Sequence, residues 1–288
     1  MTIDRKLKVE TGKRARLLVE AHAVLTRRIQ NQLRRLTPSI FSEGLAMEVR
    51  ANVEALTHKM DVVSVRWLRQ AMPSIYQEAR QTAARNAASV GYKATNPANH
   101  AGVLARRQDK TLAFLVDATS SIRTFTGQYI DAVREAVVAL RGIPVKAQEF
   151  NFKEFVADVI IQTVKLKQSV WFAKNEILNK LSSIVSNASF VSVNGRMYDI
   201  RYYTDMVART ELAKAFTDAT TETLKEYGDD LVEFSDSALS CETCKQFGGR
   251  IFSLSGKNPK YPPLPADAQI PVHPNCGCAL LPVADWGN

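Results

Sequence analysis

The chain changes from helical to β-type patterning at Phe190-Val191-Ser192-Val193-Asn194-Gly195-Arg196-Met197-Tyr198-Asp199-Ile200. Asn194-Gly195 between two short apolar alternations is a strong signal for a tight β-hairpin, because both residues tolerate a positive φ. We therefore predict a hairpin here. The patterns that follow predict a helix over about 203–227 that ends at Gly228, short strands at 231–234 and 250–254, and a Pro-rich loop over 259–274.

The sequence before this hairpin predicts helices only. From Lys13 to Leu36, apolar residues recur every three or four positions, which is typical of one amphipathic helix that ends at Thr37-Pro38. Further helices are predicted up to Pro73, over 74–90, over 103–140 with a break near 124–127 and a stop at 142–144, and twice more before Asn187, with a loop at 91–100. We expect an α+β fold: a mainly helical N-terminal region, residues 1–187, and a small α+β C-terminal module, residues 188–288.

Charge is concentrated in the N-terminal part of the chain. The net charge is +9, but residues 1–110 contribute +11 and the remainder −2. Such asymmetry indicates an acidic partner, either nucleic acid or a negatively charged protein surface. No apolar run is long enough to span a membrane, and the first residues are charged, so we expect a cytosolic origin and no membrane partner.

All four cysteines lie in the last 48 residues, together with one histidine. Cys241-Glu242-Thr243-Cys244 is a CxxC turn, and His273-Pro274-Asn275-Cys276-Gly277-Cys278 supplies a second group of ligand types. Two such turns typically hold a tetrahedral Zn²⁺ ion, and a structural zinc would stabilise a module with a long Pro-rich loop. Five candidates compete for four positions: Cys241, Cys244, His273, Cys276 and Cys278.

We predict that Cys278 is the residue left without a metal bond. Two other interpretations remain for this cluster: buried free thiols with a hydrogen-bonded histidine, and a catalytic metal. Zinc deaminases require a His-x-Glu element before their Pro-Cys-x-x-Cys element, and the order here is reversed, which argues against that chemistry.

The helix over 203–227 contains Asp205-Met206-Val207-Ala208-Arg209-Thr210-Glu211. Arg209 shares a face with apolar residues and therefore needs a partner, which Asp205 one turn earlier can supply. Arg209 and Glu211 do not point in the same direction, and no histidine accompanies them. We interpret Asp205, Arg209 and Glu211 as a structural motif, and we expect no catalytic residues. His22, His58 and His100 are scattered and are not expected to be ligands.

The first amphipathic helix also carries arginines beside its apolar stripe. They are Arg14, Arg27, Arg28, Arg34 and Arg35, and we predict that they contact DNA or an acidic protein surface; a merely solvated face is the alternative. Leu17, Leu18, Val24, Leu25, Ile29 and Leu33 form the stripe. DNA binding does not require an apolar surface. The stripe therefore favours docking to a protein, with DNA contact secondary.

The segment from Val207 to Val283 resembles the C-terminal signature of the phage Mu F-like minor head proteins. The matching pieces are Ala208-Arg209-Thr210-Glu211, the CxxC turn, Gly248-Gly249-Arg250-Ile251-Phe252, and Pro271 to Cys278. The family usually has Arg where this chain has Gly277, so any contact made by that Arg is absent or replaced here.

The resemblance implies a structural minor head protein of a tailed bacteriophage, located in the head interior or at the portal vertex and present in the host cytoplasm during assembly. It implies a role in head morphogenesis and in DNA packaging or ejection. The implied partners are the portal protein, the major capsid or scaffolding protein, and double-stranded DNA.

Two alternatives belong to other functional classes. Mu F-like modules also occur joined to toxin-type enzymes such as ADP-ribosyltransferases, and a basic N-terminus with a zinc knuckle is also compatible with a zinc-dependent nucleic-acid-binding protein. The sequence contains no Gly-rich phosphate loop and no Ser/His/Asp set, so we expect no enzyme. Tight binding to duplex DNA in the absence of any head protein would favour the second alternative.

Overall fold

A computed structural model describes residues 3–140 and 191–283, apart from 38–39, 90, 96–97, 194–195, 236–240, 275 and 277. The two helices predicted before Asn187 and the predicted helix stop at 142–144 lie outside these residues. The described part is mainly helical with a small antiparallel sheet near the C-terminus, which confirms the predicted α+β class.

Four long helices make up most of the described chain. They are α1 (Ile3–Arg34), α2 (Glu43–Ser89), α3 (His100–Leu140) and α4 (Ile200–Glu226). The predicted helix over 13–36 therefore begins ten residues earlier than expected, and the loop predicted at 91–100 lies between α2 and α3.

Two helix boundaries that the sequence predicted are wrong. Pro73 lies inside α2, and α3 continues through 124–127. A proline in a helix interior costs about 3 kcal/mol, because it removes one hydrogen bond and crowds the preceding turn. Burial of Met72 and Ile75 on either side offsets that cost.

In α3, Thr126 donates its hydroxyl to the carbonyl of Ile122, which satisfies the hydroxyl without interrupting the helix.

The predicted hairpin is present. Strand β1 (Val191–Val193) pairs antiparallel with β2 (Arg196–Tyr198), with Ser192 opposite Met197. Helix α4 ends where predicted, because Gly228 adopts a φ of 73° and the N–H of Asp229 donates to the carbonyl of Leu224 at 2.9 Å. A positive φ is inexpensive only for glycine, so the sequence dictates this stop.

A three-stranded antiparallel sheet follows α4. Its order is β4 (Ile251–Ser253), β3 (Leu231–Phe234), β5 (Leu280–Pro282). Strands β3 and β4 were predicted; β5 was not, because only three residues pair and one of them is a proline. A one-turn helix, α5 (Glu242–Lys245), lies between β3 and β4 in the chain.

The Pro-rich loop is held by hydrogen bonds to β4. The N–H of Ser253 donates to the carbonyl of Pro262 at 2.8 Å, and the N–H of Leu264 donates to the carbonyl of Ser253 at 2.9 Å. Leu264 also packs against the module core. Residues Ala266–Ala268 of the loop form one turn of 3-10 helix, so the path of the loop is defined with little regular structure of its own.

The chain forms two compact units. Unit 1 contains residues 1–20, 63–115 and 202–288, and unit 2 contains 21–62 and 116–201. In unit 1 a buried cluster joins Phe234, Phe252 and Leu280 of the sheet with Ala83 and Ala87 of α2. In unit 2, Ile29, Leu33, Met60 and Ile122 are fully buried. The independence of residues 188–288 as a domain stays a prediction.

Candidate metal centre

The first half of the candidate site is the turn that contains Cys241 and Cys244. The backbone N–H groups of Cys244 and Lys245 both donate to the carbonyl of Cys241 at 3.0 Å, which closes the turn. Cys244 is buried in the module core, whereas Cys241 is exposed. Phe247, which follows, packs on Phe234 of β3 with ring centroids 5.5 Å apart. The aromatic contact therefore anchors the turn to the sheet.

The second half is the turn at His273, just before β5. The N–H of Cys276 donates to the carbonyl of His273 at 3.1 Å, and Cys276 and Cys278 are both buried. The His273 Nδ1 atom lies 2.8 Å from the carbonyl oxygen of Pro274. A carbonyl can only accept, so Nδ1 carries the proton and Nε2 presents its lone pair to the cysteines. This is the usual arrangement of a metal-binding histidine.

Three distances between these side chains are close to those around a tetrahedral metal ion. Nε2 of His273 lies 3.0 Å from the Cys241 sulfur and 3.3 Å from the Cys244 sulfur, and the sulfurs of Cys244 and Cys276 are 3.7 Å apart. Four ligands at zinc bond lengths would be separated by about 3.8 Å for two sulfurs and about 3.6 Å for sulfur and nitrogen. Cys276 is grouped within 4.8 Å with Cys244 and Cys278, not with Cys241 and His273, so a four-ligand site would require these two groups to move closer together.

All five candidates from the sequence come together around Cys244. Cys241, Cys244 and His273 form one group, and Cys244, Cys276 and Cys278 form another, with ligand atoms within 4.8 Å of one another in each. The cluster is therefore close enough to hold a metal ion, as the sequence predicted. A closed set of four protein ligands is typical of structural sites.

The pKa values distinguish two buried cysteines of the cluster, Cys276 in the second turn and Cys244 in the first. A hydrogen bond from the side chain of Cys278 is the main reason that the pKa of Cys276 falls to about 5. Burial, reinforced by the neighbouring Cys276, raises the pKa of Cys244 to about 12. Cys276 thus resembles a thiolate that accepts from Cys278, and a metal would have to displace the proton of Cys244 on binding.

Cys241 and His273 complete the set on the exposed side. A hydrogen bond from the backbone of Cys244 lowers the pKa of Cys241 to about 7, and the carbonyl of Pro274 raises the pKa of His273. Cys241 is therefore easily ionised near neutral pH, which is the state that binds a cation.

Asp205, Arg209 and Glu211 of α4 form ion pairs within the protein. Nε of Arg209 lies 2.8 Å from both carboxylate oxygens of Asp205, as predicted from their spacing. Glu211 is buried and lies 3.3 Å from Nη1 of Arg107 and 2.7 Å from Nζ of Lys214. The sequence did not identify Arg107, because it lies 104 residues away on α3 and only tertiary packing brings it to Glu211.

The structure separates the five α1 arginines into two groups. Arg14 belongs to unit 1, where it is half-buried, lies 3.5 Å from Glu78, and accepts a hydrogen bond from the Trp67 indole on its carbonyl. The other four belong to unit 2 and are exposed: Arg27, Arg28, Arg34 and Arg35. The metal cluster belongs to unit 1.

The apolar stripe of α1 is not available to a partner. Leu18, Leu25, Ile29 and Leu33 are buried, and only Leu17 and Val24 remain exposed. The stripe is used for the core of the protein, as is normal for an amphipathic helix. The argument that it favours docking to another protein is therefore wrong.

The three other histidines belong to neither of the two ligand groups. His22 is fully buried, His58 is exposed, and His100 contacts Tyr76 and Glu226. Within the described residues, no helix has both the length and the apolar character needed to cross a lipid bilayer.

Residues 152–269 match the family model of phage minor capsid protein 2. The match covers about two fifths of the chain and includes α4, β3, the CxxC turn and β4, but ends before His273. No curated protein and no solved structure matches the chain. This match confirms that the chain resembles a family of phage minor capsid proteins. The Mu F-like assignment rests on the motifs quoted above.

Proposed function

We propose that this chain is a structural minor component of a tailed bacteriophage head and has no catalytic role. The observation that carries the proposal is the match of residues 152–269 to phage minor capsid protein 2. It is supported by the cysteine and histidine cluster, whose side chains lie close enough to hold a metal ion. The similarity to that family supports a virion location.

In this proposal the C-terminal module is a metal-stabilised fold. Cys241, Cys244, His273 and Cys276 would hold Zn²⁺, and Cys278 would donate a hydrogen bond to the Cys276 sulfur. The ion supplies a crosslink between the turn before β4 and the turn before β5. Small modules with long irregular loops bury little apolar surface, so such a crosslink supplies a large share of their stability.

The proposed site of action is the portal vertex, during head morphogenesis and DNA packaging or ejection. The motif resemblance implies the portal protein and the major capsid or scaffolding protein as partners. The concentration of positive charge in residues 1–110 is compatible with an acidic surface or DNA at that location.

Particle composition tests this proposal. Heads assembled with the intact chain should contain it at low copy number by quantitative mass spectrometry, and it should co-purify with the portal protein after the particles are dissociated. The double variant Cys241→Ser/Cys244→Ser should reduce incorporation, whereas Lys245→Ala on the same turn should not. Absence of the intact chain from both immature and mature heads would refute the proposal.

A further inference from the structure

The part of α1 that belongs to unit 2 carries positive charge without acidic residues beside it in the sequence. No Asp or Glu occurs between Ala21 and Ser42, a stretch that contains four arginines. We call these four the arginine face: Arg27, Arg28, Arg34 and Arg35. All four side chains are exposed.

The arginine face has a regular geometry that follows from helix periodicity. Arg27 and Arg34 are seven residues apart and lie on one side of α1, with an axial spacing of about 10.5 Å. Arg28 lies about 100° from Arg27 around the helix axis, and Arg35 follows in the turn that ends α1. Val24 and Asn31 lie between the sides of Arg27 and Arg28 on the exposed surface.

Two of the four charges of the arginine face have no acidic partner within the part of the chain that the structure describes. Among the described residues, Arg27 and Arg28 have no acidic partner. Arg34 donates to the neutral side chain of Asn31 at 3.3 Å. Arg35 lies 2.7 Å from Glu48, but that pair is solvent-exposed, so it is weak and open to competition.

The surroundings favour a phosphate backbone over a protein surface as the partner. Stable protein interfaces have an apolar centre from which charged residues are depleted. Here Leu25, Ile29 and Leu33 of α1 are buried inside the protein, and Val24 is an exposed apolar residue between the arginines, at 42%. Duplex DNA requires no apolar anchor, because cations that neutralise phosphates and release counterions are sufficient for binding.

We infer that the arginine face of α1 binds the phosphates of duplex DNA independently of sequence. Over the axial spacing of Arg27 and Arg34, B-DNA presents about six phosphates, enough for all four guanidinium groups. This inference deepens the proposed function by naming DNA as the partner of this face, since packaged DNA is a polyanion that a head protein meets. The apolar stripe had suggested a protein as the main partner and DNA as a secondary one; here DNA is the main partner.

Salt-dependent binding of the full-length protein to a short fluorescent DNA duplex tests the inference. Each phosphate contact contributes about −0.9 to the slope of log K against log salt, so Arg27→Gln/Arg28→Gln should make the slope shallower by about 1.8. Replacing all four arginines by Gln should make it shallower by about 3.6. The four contacts correspond to a loss of about 150-fold in affinity between 50 and 200 mM salt.

Matched variants separate a local face from a general effect of net charge. Arg66→Gln/Arg69→Gln removes two exposed arginines of α2 in unit 1 and should leave the slope almost unchanged. Arg27→Lys/Arg28→Lys keeps the charge and should retain binding. Circular dichroism establishes that each variant is folded.

An equal effect of the two Gln double variants would overturn the inference, as would wild-type protein without salt-dependent binding. It is also overturned if Arg27→Gln/Arg28→Gln retains DNA affinity but loses binding to purified portal protein, which would identify a protein surface as the partner. Any of these outcomes leaves the head assignment standing, because incorporation into particles is measured separately.

Discussion

Nε2 of His100 lies 3.0 Å from Oε2 of Glu226, although 126 residues separate them in the chain. The hydroxyl of Tyr76 is 3.1 Å from the other ring nitrogen of His100. The three side chains connect α2, the first residue of α3 and the last residue of α4. In the tautomer with the proton on Nε2, the imidazole accepts from the tyrosine and donates to the carboxylate, so every group in this chain of hydrogen bonds is satisfied.

We expect Glu226→Ala to lower the free energy of unfolding by about 2 kcal/mol, because it removes a charged acceptor from a mostly buried histidine. A double-mutant cycle with His100→Ala should give a coupling of about 1 kcal/mol or more. Urea unfolding measures both. Glu20→Ala, an exposed residue of α1, is the control and should change stability by less than about 0.5 kcal/mol. A coupling near zero would mean that the contact does not stabilise the fold.

Arg107 and Glu211 form a second long-range ion pair, which connects α3 with α4. Glu211 is 2% exposed, and Arg107 connects it to Asp218 on α4, whose carboxylate accepts from Nε and Nη2 of Arg107 at 3.0 and 2.8 Å. Arg107→Met should destabilise the protein by about 3 kcal/mol, since it leaves a buried carboxylate with Lys214 as its remaining cation.

The compensating variant distinguishes charge from packing. Arg107→Met combined with Glu211→Met removes both charges and should recover most of the lost stability, because a buried pair replaced by apolar residues is often neutral. Arg106→Met, next to Arg107 but exposed, serves as the control. If the double variant is no more stable than Arg107→Met alone, the buried charge is not the cause of the loss.

His22 should make the stability of the protein depend on pH. Burial lowers its pKa from 6.5 to about 4, so the unfolded chain takes up the proton first as the pH falls. The stability contributed by neutral His22 is complete above pH 6.5 and is lost as the pH falls towards about 4. At pH 5 the loss amounts to about 2 kcal/mol.

Urea unfolding at pH 7 and pH 5 measures this effect as a difference between proteins. His22→Gln should reduce the drop in stability between the two pH values by about 2 kcal/mol, whereas His58→Gln, at an exposed position, should leave the drop unchanged. An equal drop in wild type and His22→Gln would assign the acid sensitivity to other groups.

Local signals in the sequence predicted local structure well. Asn194-Gly195 predicted the hairpin, Gly228 predicted the end of α4, and the four-residue spacing of Asp205 and Arg209 predicted their ion pair. Each depends on residues close in sequence, whose geometry is fixed by backbone preferences or helix periodicity. Pro73 was misleading because its local cost is smaller than the free energy gained by burying the residues around it.

The cysteine and histidine cluster could be predicted from its sequence motif, whereas the contact between Arg107 and Glu211 could not. Cys241 and His273 were predicted to meet because their residue types and spacing have few other uses, and their side chains lie 3.0 Å apart. The contact between Arg107 and Glu211 could not be predicted in this way. It depends on how α3 packs on α4, and one sequence carries no signal for a pairing between two helices so far apart along the chain.

Zinc content should show that Cys276 binds the metal and that Cys278 does not. Protein purified without chelator should contain one zinc ion per chain by elemental analysis. Cys241→Ser and Cys276→Ser should lose the ion and about 3 kcal/mol or more of stability, because metal binding is coupled to folding. Cys278→Ser should retain zinc, since a hydroxyl can still donate to the Cys276 sulfur. Zinc loss in Cys278→Ser but not in Cys276→Ser would reverse the assignment, and wild-type protein without any metal would refute the site.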